Sequence, residues 1–205
     1  MRGRKRSNIL MASFLLVIVM TGVQCGGDKQ VAPKPRAYPK VEYPEKAYRL
    51  LDTLFCPFQA EVPVYAQVRR KENYFDQKLN SECWLNIEFT DFNAVLHCSY
   101  DNITDQNNFD KLKTDAFKLV DKHNVKAQYI DRYEIEKENG VSGFLFKIEG
   151  PVASATQFYL TDSTDHFFRA SLYFNTRVNR DSLAPVQAYI DEDINRFIES
   201  FAWEN

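Results

Sequence analysis

The segment Cys83-Trp-Leu-Asn-Ile-Glu-Phe-Thr-Asp-Phe-Asn-Ala-Val-Leu-His-Cys-Ser-Tyr100 indicates which kind of fold this chain adopts. Its apolar residues at positions 83, 85, 87 and 89 occur at every second residue, which is the period of a β-strand with one buried face. The same period returns at Leu96, Cys98 and Tyr100, after the polar stretch 90–93. The segment therefore predicts a β-hairpin.

Further strands are predicted on both sides of this hairpin. Upstream, every second residue of 56–62 is apolar, and downstream residues 129–135 and 144–148 show the same alternation. Between these last two lies Asn139-Gly140, a dipeptide suited to the positive φ angles of a tight hairpin turn. Another hairpin is predicted in 156–175, where two apolar segments flank the turn residues Asp-Ser-Thr-Asp.

Two segments instead have apolar residues three or four positions apart, which predicts amphipathic helices. The first set is Phe109, Leu112, Ala116, Leu119 and His123, and the second is Leu183, Val186, Ile190, Ile194, Phe197 and Phe201. Asp181 or Ser182 is expected to cap the second helix, with Pro185 in its first turn. Both apolar stripes are expected to pack against the core.

These elements predict an α+β fold, because hairpins outnumber helices and no strand–helix–strand alternation occurs. We expect a mainly antiparallel β-sheet with two amphipathic helices packed on it. Residues 39–205 are expected to form a single globular domain of ordinary size.

The N-terminal residues 1–24 have the pattern of a bacterial lipoprotein signal peptide. Four basic residues within 2–6 precede twelve apolar or small residues, Ile9–Met20. Twelve helical residues reach about 18 Å, less than the hydrocarbon core of about 30 Å, which argues against a permanent membrane span.

Cys25 is the predicted lipidation site. It lies in Thr21-Gly-Val-Gln-Cys-Gly-Gly27, which resembles a lipobox, although Gln24 replaces the usual small residue. Two or more acyl chains suffice to hold a protein at a membrane. Residues 25–38, with two glycines and two prolines, are then a tether. The alternative is an ordinary secretory signal in which Cys25 happens to lie near the cleavage point.

The composition excludes some classes of function. Without the four basic leader residues, 22 basic residues stand against 28 acidic ones, a net charge of about −6. An acidic domain without a basic stripe is a poor candidate for binding nucleic acid.

Two interpretations of the remaining cysteines stay open. Cys56 and Cys83 lie near strand starts on apolar faces, and an oxidising envelope compartment permits a disulfide between them. Alternatively, these two residues and Cys98 are all small buried hydrophobic residues. Cys98, between Leu96 and Tyr100, is most simply a buried free thiol.

No catalytic, metal or cofactor site is predicted. The chain has no CxxC, HExxH, GxSxG or glycine-rich phosphate loop, and its three histidines are scattered. His97 is expected to be packed or solvated, and His123 to complement a helix C-terminus. The polar cluster 162–166 is expected to satisfy the backbone of its own turn.

Five segments of this chain resemble the GldD family of gliding motility lipoproteins of Bacteroidetes. They are residues 33–46, 56–58, 83–89, 158–175 and 181–186, which span nearly the whole mature chain in order. The resemblance implies a role in gliding motility and the linked type IX secretion machinery, with Cys25 as the lipidated residue. The C-terminal pattern of strands and helix is also similar to the PsbP-like fold.

The leading hypothesis is therefore a non-enzymatic envelope lipoprotein that faces the periplasm. Its partners would be the membrane, through the lipid anchor, and other gliding and secretion proteins, which it would assemble or stabilise. The alternative is a periplasmic module in which the sheet and a covering helix bind a small ligand without catalysis.

Overall fold

The computed structural model describes residues 41–51, 56–71, 73–74, 77–78, 83–176 and 180–204. The predicted signal peptide, Cys25 and tether lie outside the described residues. Within them the strands are β1 (Tyr48–Leu50), β2 (Phe58–Gln59), β3 (Glu61–Pro63), β4 (Gln67–Arg70), β5 (Asn73–Tyr74), β6 (Gln77–Lys78), β7 (Leu85–Phe89), β8 (Ala94–Asn102), β9 (Tyr129–Glu136), β10 (Ser142–Glu149), β11 (Thr156–Thr161), β12 (His166–Phe174) and β13 (Ala202–Trp203). The helices are α1 (Phe109–Asp121) and α2 (Arg180–Ser200).

Seven strands form one sheet in the order β4-β7-β8-β12-β11-β10-β9, with antiparallel pairing at each step. The longest pairing in it joins β8 to β12, from Ala94 opposite Phe174 to Asn102 opposite His166. Two-stranded pairs β1-β3, β2-β13 and β5-β6 complete the strand pairing. The predicted fold, a mainly antiparallel sheet with two helices, is confirmed.

The first face of the sheet packs against α2. The alternating residues predicted to be buried, such as Leu85, Ile87 and Leu96, lie on this face with less than a twentieth of their surface exposed. They meet Ile190 and Ile194 of α2. The predicted apolar stripe is confirmed from Val186 to Phe197, whereas Leu183 is only half-buried and Phe201 follows the end of the helix. Several aromatic rings also pack here with centroids 4.8–6.5 Å apart: Phe58, Phe168, Phe197 and Phe201.

The prediction for the start of α2 was wrong by about one turn. The helix begins at Arg180, before both of the residues expected to cap it, so Pro185 lies in the second turn. Proline lacks a backbone N–H and cannot donate to the preceding turn. Pro185 itself is exposed.

The second face of the sheet packs against α1 over part of its width. Ala116 and Val120 of the helix are buried against Phe146, Tyr159 and Phe167. Only Ala116 of the predicted stripe is fully buried, whereas Val120, outside that stripe, is also buried. Phe109 and Leu112 are half-buried against the same cluster, and Leu119 and His123 are half-buried as well. The helix ends at Asp121, and His123 lies in the 3₁₀ turn Lys122–Val125 that follows.

Two turns have the structure that their residues predict. Gly140 has a φ of +82°, and the Lys137 backbone N–H donates to Val141 O at 2.9 Å, which closes the β9-β10 hairpin. In the β11-β12 turn, Asp162 Oδ1 accepts the backbone N–H groups of residues 164, 165 and 166 at 2.9–3.0 Å. Burial opposes ionisation of Asp162, but these donors outweigh it and lower the pKa of its carboxyl.

A buried carboxylate on α2 holds the first described residues of the chain. Asp193, 2% exposed, accepts hydrogen bonds from Lys46 Nζ at 2.6 Å, from Tyr48 Oη at 3.0 Å and from Tyr65 Oη. The Lys46 ammonium also lies 3.4 Å from the centroid of the Tyr189 ring. Burial and the neighbouring Asp193 together raise the pKa values of both phenols, which therefore stay protonated donors. We call these residues the Asp193 cluster.

We expect Asp193→Ala to lower the free energy of unfolding by about 3–5 kcal/mol, because it leaves a partly buried ammonium and two hydroxyl groups without their acceptor. Urea unfolding followed by circular dichroism measures the change. The matched control is Glu192→Ala, whose carboxylate is 68% exposed and 3.8 Å from Lys46 Nζ. That control should lower the free energy of unfolding by at most about 1 kcal/mol. Equal losses in the two variants would contradict this account of the cluster.

The structure joins Cys56 to Cys83 by a disulfide, with their Cα atoms 5.0 Å apart and a sequence separation of 27. Both residues are buried in the core under α2. Cys98 is a buried free thiol, and burial raises its pKa, so it stays protonated and unreactive.

We expect mass mapping under non-reducing conditions to recover the Cys56 and Cys83 peptides joined, with Cys98 alkylated only after unfolding. The double variant Cys56→Ala with Cys83→Ala should lower the free energy of unfolding by about 3–4 kcal/mol. The reason is that the unfolded chain regains the conformational entropy that the disulfide removes by closing a loop of this length. A reductant should destabilise the natural protein and leave this double variant unchanged. Recovery of Cys56 as a free thiol would contradict the pairing.

Candidate binding cavity

The second face of the sheet carries a cavity beside α1. Its volume is about 520 Å³, and it is lined by side chains from β7, β8, β11 and β12 together with the end of α1 and the turn after it. The helix covers aromatic side chains of β10, β11 and one end of β12, and the cavity lies beside them. The cavity thus exists because one helix is too narrow to cover a sheet of seven strands.

A row of polar side chains crosses the floor of the cavity over four adjacent strands. Asn86 lies opposite His97, His97 opposite Ser171, and Ser171 opposite Gln157. His97 Nδ1 is 2.8 Å from Asn86 Oδ1, and Ser171 Oγ donates to Gln157 Oε1 at 3.4 Å. Gln157 is 4% exposed, so an amide is buried in a row where packing alone would favour an apolar side chain.

The charged side chains among the described residues that line the cavity are basic. Among its lining residues are Lys71, Lys122 and Arg169, together with His97 and His123. They come from four separate parts of the chain in a domain that carries a net negative charge. The nearby acid Glu88 is paired with Arg69, whose Nε lies 2.8 Å from its Oε2. A cleft lined by charges of one sign concentrates ligands of the opposite sign.

Both histidines of the cavity have a pKa below the ordinary value. For His97 the causes are loss of hydration and then repulsion by Lys71, which Glu88 partly offsets. For His123 the cause is burial. His123, expected from sequence to lie near a helix C-terminus, is in the 3₁₀ turn after α1 and also lines the cavity.

A second cavity of about 500 Å³ adjoins the first and shares Trp84, Ser99 and Arg169 with it. Its lining includes acids as well as bases, among them Asp101 and Lys111. Burial raises the pKa of Asp101, and the nearby Arg169 guanidinium opposes that shift. The two cavities form a groove between α1 and the sheet, and the part that contains Lys71 and Lys122 lies at the C-terminal end of the helix.

The other residues singled out from sequence lie away from this groove. The disulfide pair Cys56 and Cys83 belongs to the core on the α2 side of the sheet. His166 stacks on Trp203 with ring centroids 4.9 Å apart, and its Nδ1 is 2.6 Å from Tyr100 Oη. Cys25 lies outside the described residues.

Sequence reasoning noted His97 and His123 separately and missed the basic residues that surround them. Lys71, Lys122 and Arg169 are ordinary charged residues in a linear sequence. The available signal was the alternation of polar residues at His97, Ser99 and Asp101 and along 169–173, opposite the buried face. Within the described part of the chain, no group of three or more His, Cys, Asp or Glu side chains is arranged to hold a metal ion.

We expect Lys71→Gln to raise the pKa of His97 toward the ordinary value, because the substitution removes a repelling charge and leaves the loss of hydration in place. An NMR titration of the imidazole resonances measures this. Lys118→Gln, which removes the same charge from a side chain outside the cavity, should leave the pKa of His97 unchanged. No change in Lys71→Gln would show that the two groups do not interact.

No helix among the described residues is long and apolar enough to span a membrane. The search of curated proteins finds no match to this chain. Among solved structures, the chain is similar to the solution structure of cyanobacterial PsbP (CyanoP) from Synechocystis sp. PCC 6803. The identity is 8% and the TM-score 0.44, over 78% of this chain and 94% of that one.

The comparison with protein families finds a match over almost the entire predicted mature chain. The model of the gliding motility lipoprotein GldD matches residues 28–203, which include every described strand and helix. The resemblance seen in the five sequence segments is therefore confirmed, and the chain belongs to the GldD family of gliding motility lipoproteins.

Proposed function

We propose that this protein is a lipid-anchored accessory factor of the cell envelope, without catalytic activity, which supports gliding motility and the associated type IX secretion machinery. The anchor is acyl chains on Cys25, and residues 25–38 tether the domain on the periplasmic side of a membrane. The observation that carries the proposal is the family match over residues 28–203, which associates the whole domain with gliding motility.

The proposed mode of action is binding to other envelope proteins, so that they assemble or remain stable. Strand β9, at one end of the seven-strand order, supports this mode. Two of its tyrosines, Tyr129 and Tyr133, are 54% and 53% exposed. Tyrosine is enriched at protein interfaces, and an edge strand offers backbone groups to a partner.

We expect deletion of the gene to abolish colony spreading and to reduce type IX secretion, and the natural chain to restore both. The Cys25→Ser chain should fail to restore them, because it lacks the acyl chains that hold the domain at the membrane. Incorporation of radiolabelled fatty acid and detergent partition show whether each chain is anchored. Normal spreading and secretion in the deletion strain would refute the proposal.

Crosslinking in intact cells tests the protein-binding mode separately. Tyr129→Ser with Tyr133→Ser should reduce crosslinks to other envelope proteins, whereas the control Val125→Ser, at a side chain that is 89% exposed, should not. Unchanged crosslinks in the tyrosine variant would place the partner surface elsewhere than β9.

A second candidate function is a periplasmic module that binds a small ligand. The cavity beside α1 favours it, because about 520 Å³ falls within the range of about 300–1,000 Å³ that is usual for ligand sites. It combines apolar walls with a few polar groups, as such sites do. The two functions are compatible, since a ligand on this face leaves β9 accessible.

A further inference from the structure

We propose that the cavity beside α1 binds a small organic anion, whose acidic group lies among Lys71, Lys122 and Arg169 and whose apolar part packs on Trp84 and Leu119. This inference rests on the second candidate function, ligand binding, and is independent of the role in motility.

The sign of the charge is the first argument. Three Lys and Arg side chains and two imidazoles lie around the cavity, and none of the described residues that line it is Asp or Glu. Lys71 and His97 line the same cavity, and repulsion from Lys71 contributes to the low pKa of His97. An anion placed among them would relieve this repulsion, whereas a cation would increase it.

The hydrogen-bonding groups are the second argument. Ser171, Gln157 and Ser99 line the same cavity, and the last two are 4% and 8% exposed. Hydroxyl and amide groups can donate to an acidic group, and a guanidinium can bind two of its oxygens at once. These donors lie beside the basic side chains, so one acidic group could be bound by both charge attraction and hydrogen bonds.

The walls of the cavity indicate that the anion is organic. Trp84 donates its indole N–H to Tyr100 O at 3.1 Å, which fixes the orientation of its ring. Tyr173 packs with its ring centroid 5.5 Å from that of His97. With Leu119 these side chains offer apolar surface that an inorganic ion would leave uncovered. A volume of about 520 Å³ is also much larger than one such ion.

The test uses a pair of dyes that differ in charge. The anionic 8-anilino-1-naphthalenesulfonate and the neutral N-phenyl-1-naphthylamine share an aromatic body, and only the former carries an acidic group. Binding is followed by energy transfer from tryptophan. Since the chain has two tryptophans, Trp203→Phe leaves Trp84 as the reporter inside the cavity. Trp203 Nε1 is buried and has no hydrogen-bond partner among the described residues, so this background removes no hydrogen bond that the structure shows.

In this background we expect saturable binding of the anionic dye with a stoichiometry of one, and affinity at least about tenfold above that of the neutral dye. The double variant Lys71→Gln with Lys122→Gln should weaken binding of the anionic dye about tenfold and leave the neutral dye within about twofold. The matched control is Lys113→Gln with Lys118→Gln, which removes the same charge from a surface of α1 outside the cavity. It should leave both affinities unchanged. Thermal unfolding verifies that each variant is folded.

The outcomes separate the inference from the function on which it rests. Equal affinity for the two dyes, or equal effects of the two double variants, would overturn the anion preference and leave a ligand-binding cavity. Absence of saturable binding of either dye would overturn both the inference and the ligand-binding function. Neither result bears on the spreading and secretion phenotypes, which test the accessory role.

Discussion

Strands β8 and β12 lie at the centre of the sheet, and their antiparallel pairing presents two different surfaces. On one side, Leu96 and Phe168 face the α2 core, where burial of apolar area favours folding. On the other side, His97 and Arg169 alternate with them and line the cavity. Because side chains alternate strictly along a strand, a slip of one residue in this register would exchange the two surfaces. The same pairing therefore determines both the core and the candidate site.

Local patterns in the sequence were sufficient to predict most of the strands, turns and helices. Period-two alternation identified the strands around Leu85 and Phe146, and the turn at Gly140 followed from the dipeptide that contains it. The cavity beside α1 could not be predicted in this way, because strands that are distant in sequence bring its residues together. His97 and Ser171 are neighbours because β8 pairs with a strand more than sixty residues away, and no local signal specifies that partner. The predicted apolar stripe of α1 was wrong at His123, because the α-helix ends at Asp121 and a 3₁₀ turn follows.

The family relationship and the cavity provide information at different scales. Membership of the GldD family applies to the whole chain and identifies the process in which it acts, gliding motility. The row of polar residues from Asn86 to Gln157 concerns a single surface and the chemistry of what it can hold. The exposed tyrosines of β9 lie at the far end of the strand order from β4 and β7. One domain thus has room for a bound molecule and a protein partner on different surfaces.

The Asp193 cluster has a mechanical consequence. Tyr189 Oη donates to Pro44 O at 2.5 Å and Lys46 binds Asp193, so the chain is fastened to α2 before it enters β1. Tension applied to the chain ahead of residue 44 would pass directly into the long C-terminal helix and the aromatic core beneath it. The short β1-β3 pair, with three residue pairs, would be shielded from that pull. In the proposed lipid-anchored protein, force from the tether would therefore reach α2 before it reached the β1-β3 pair.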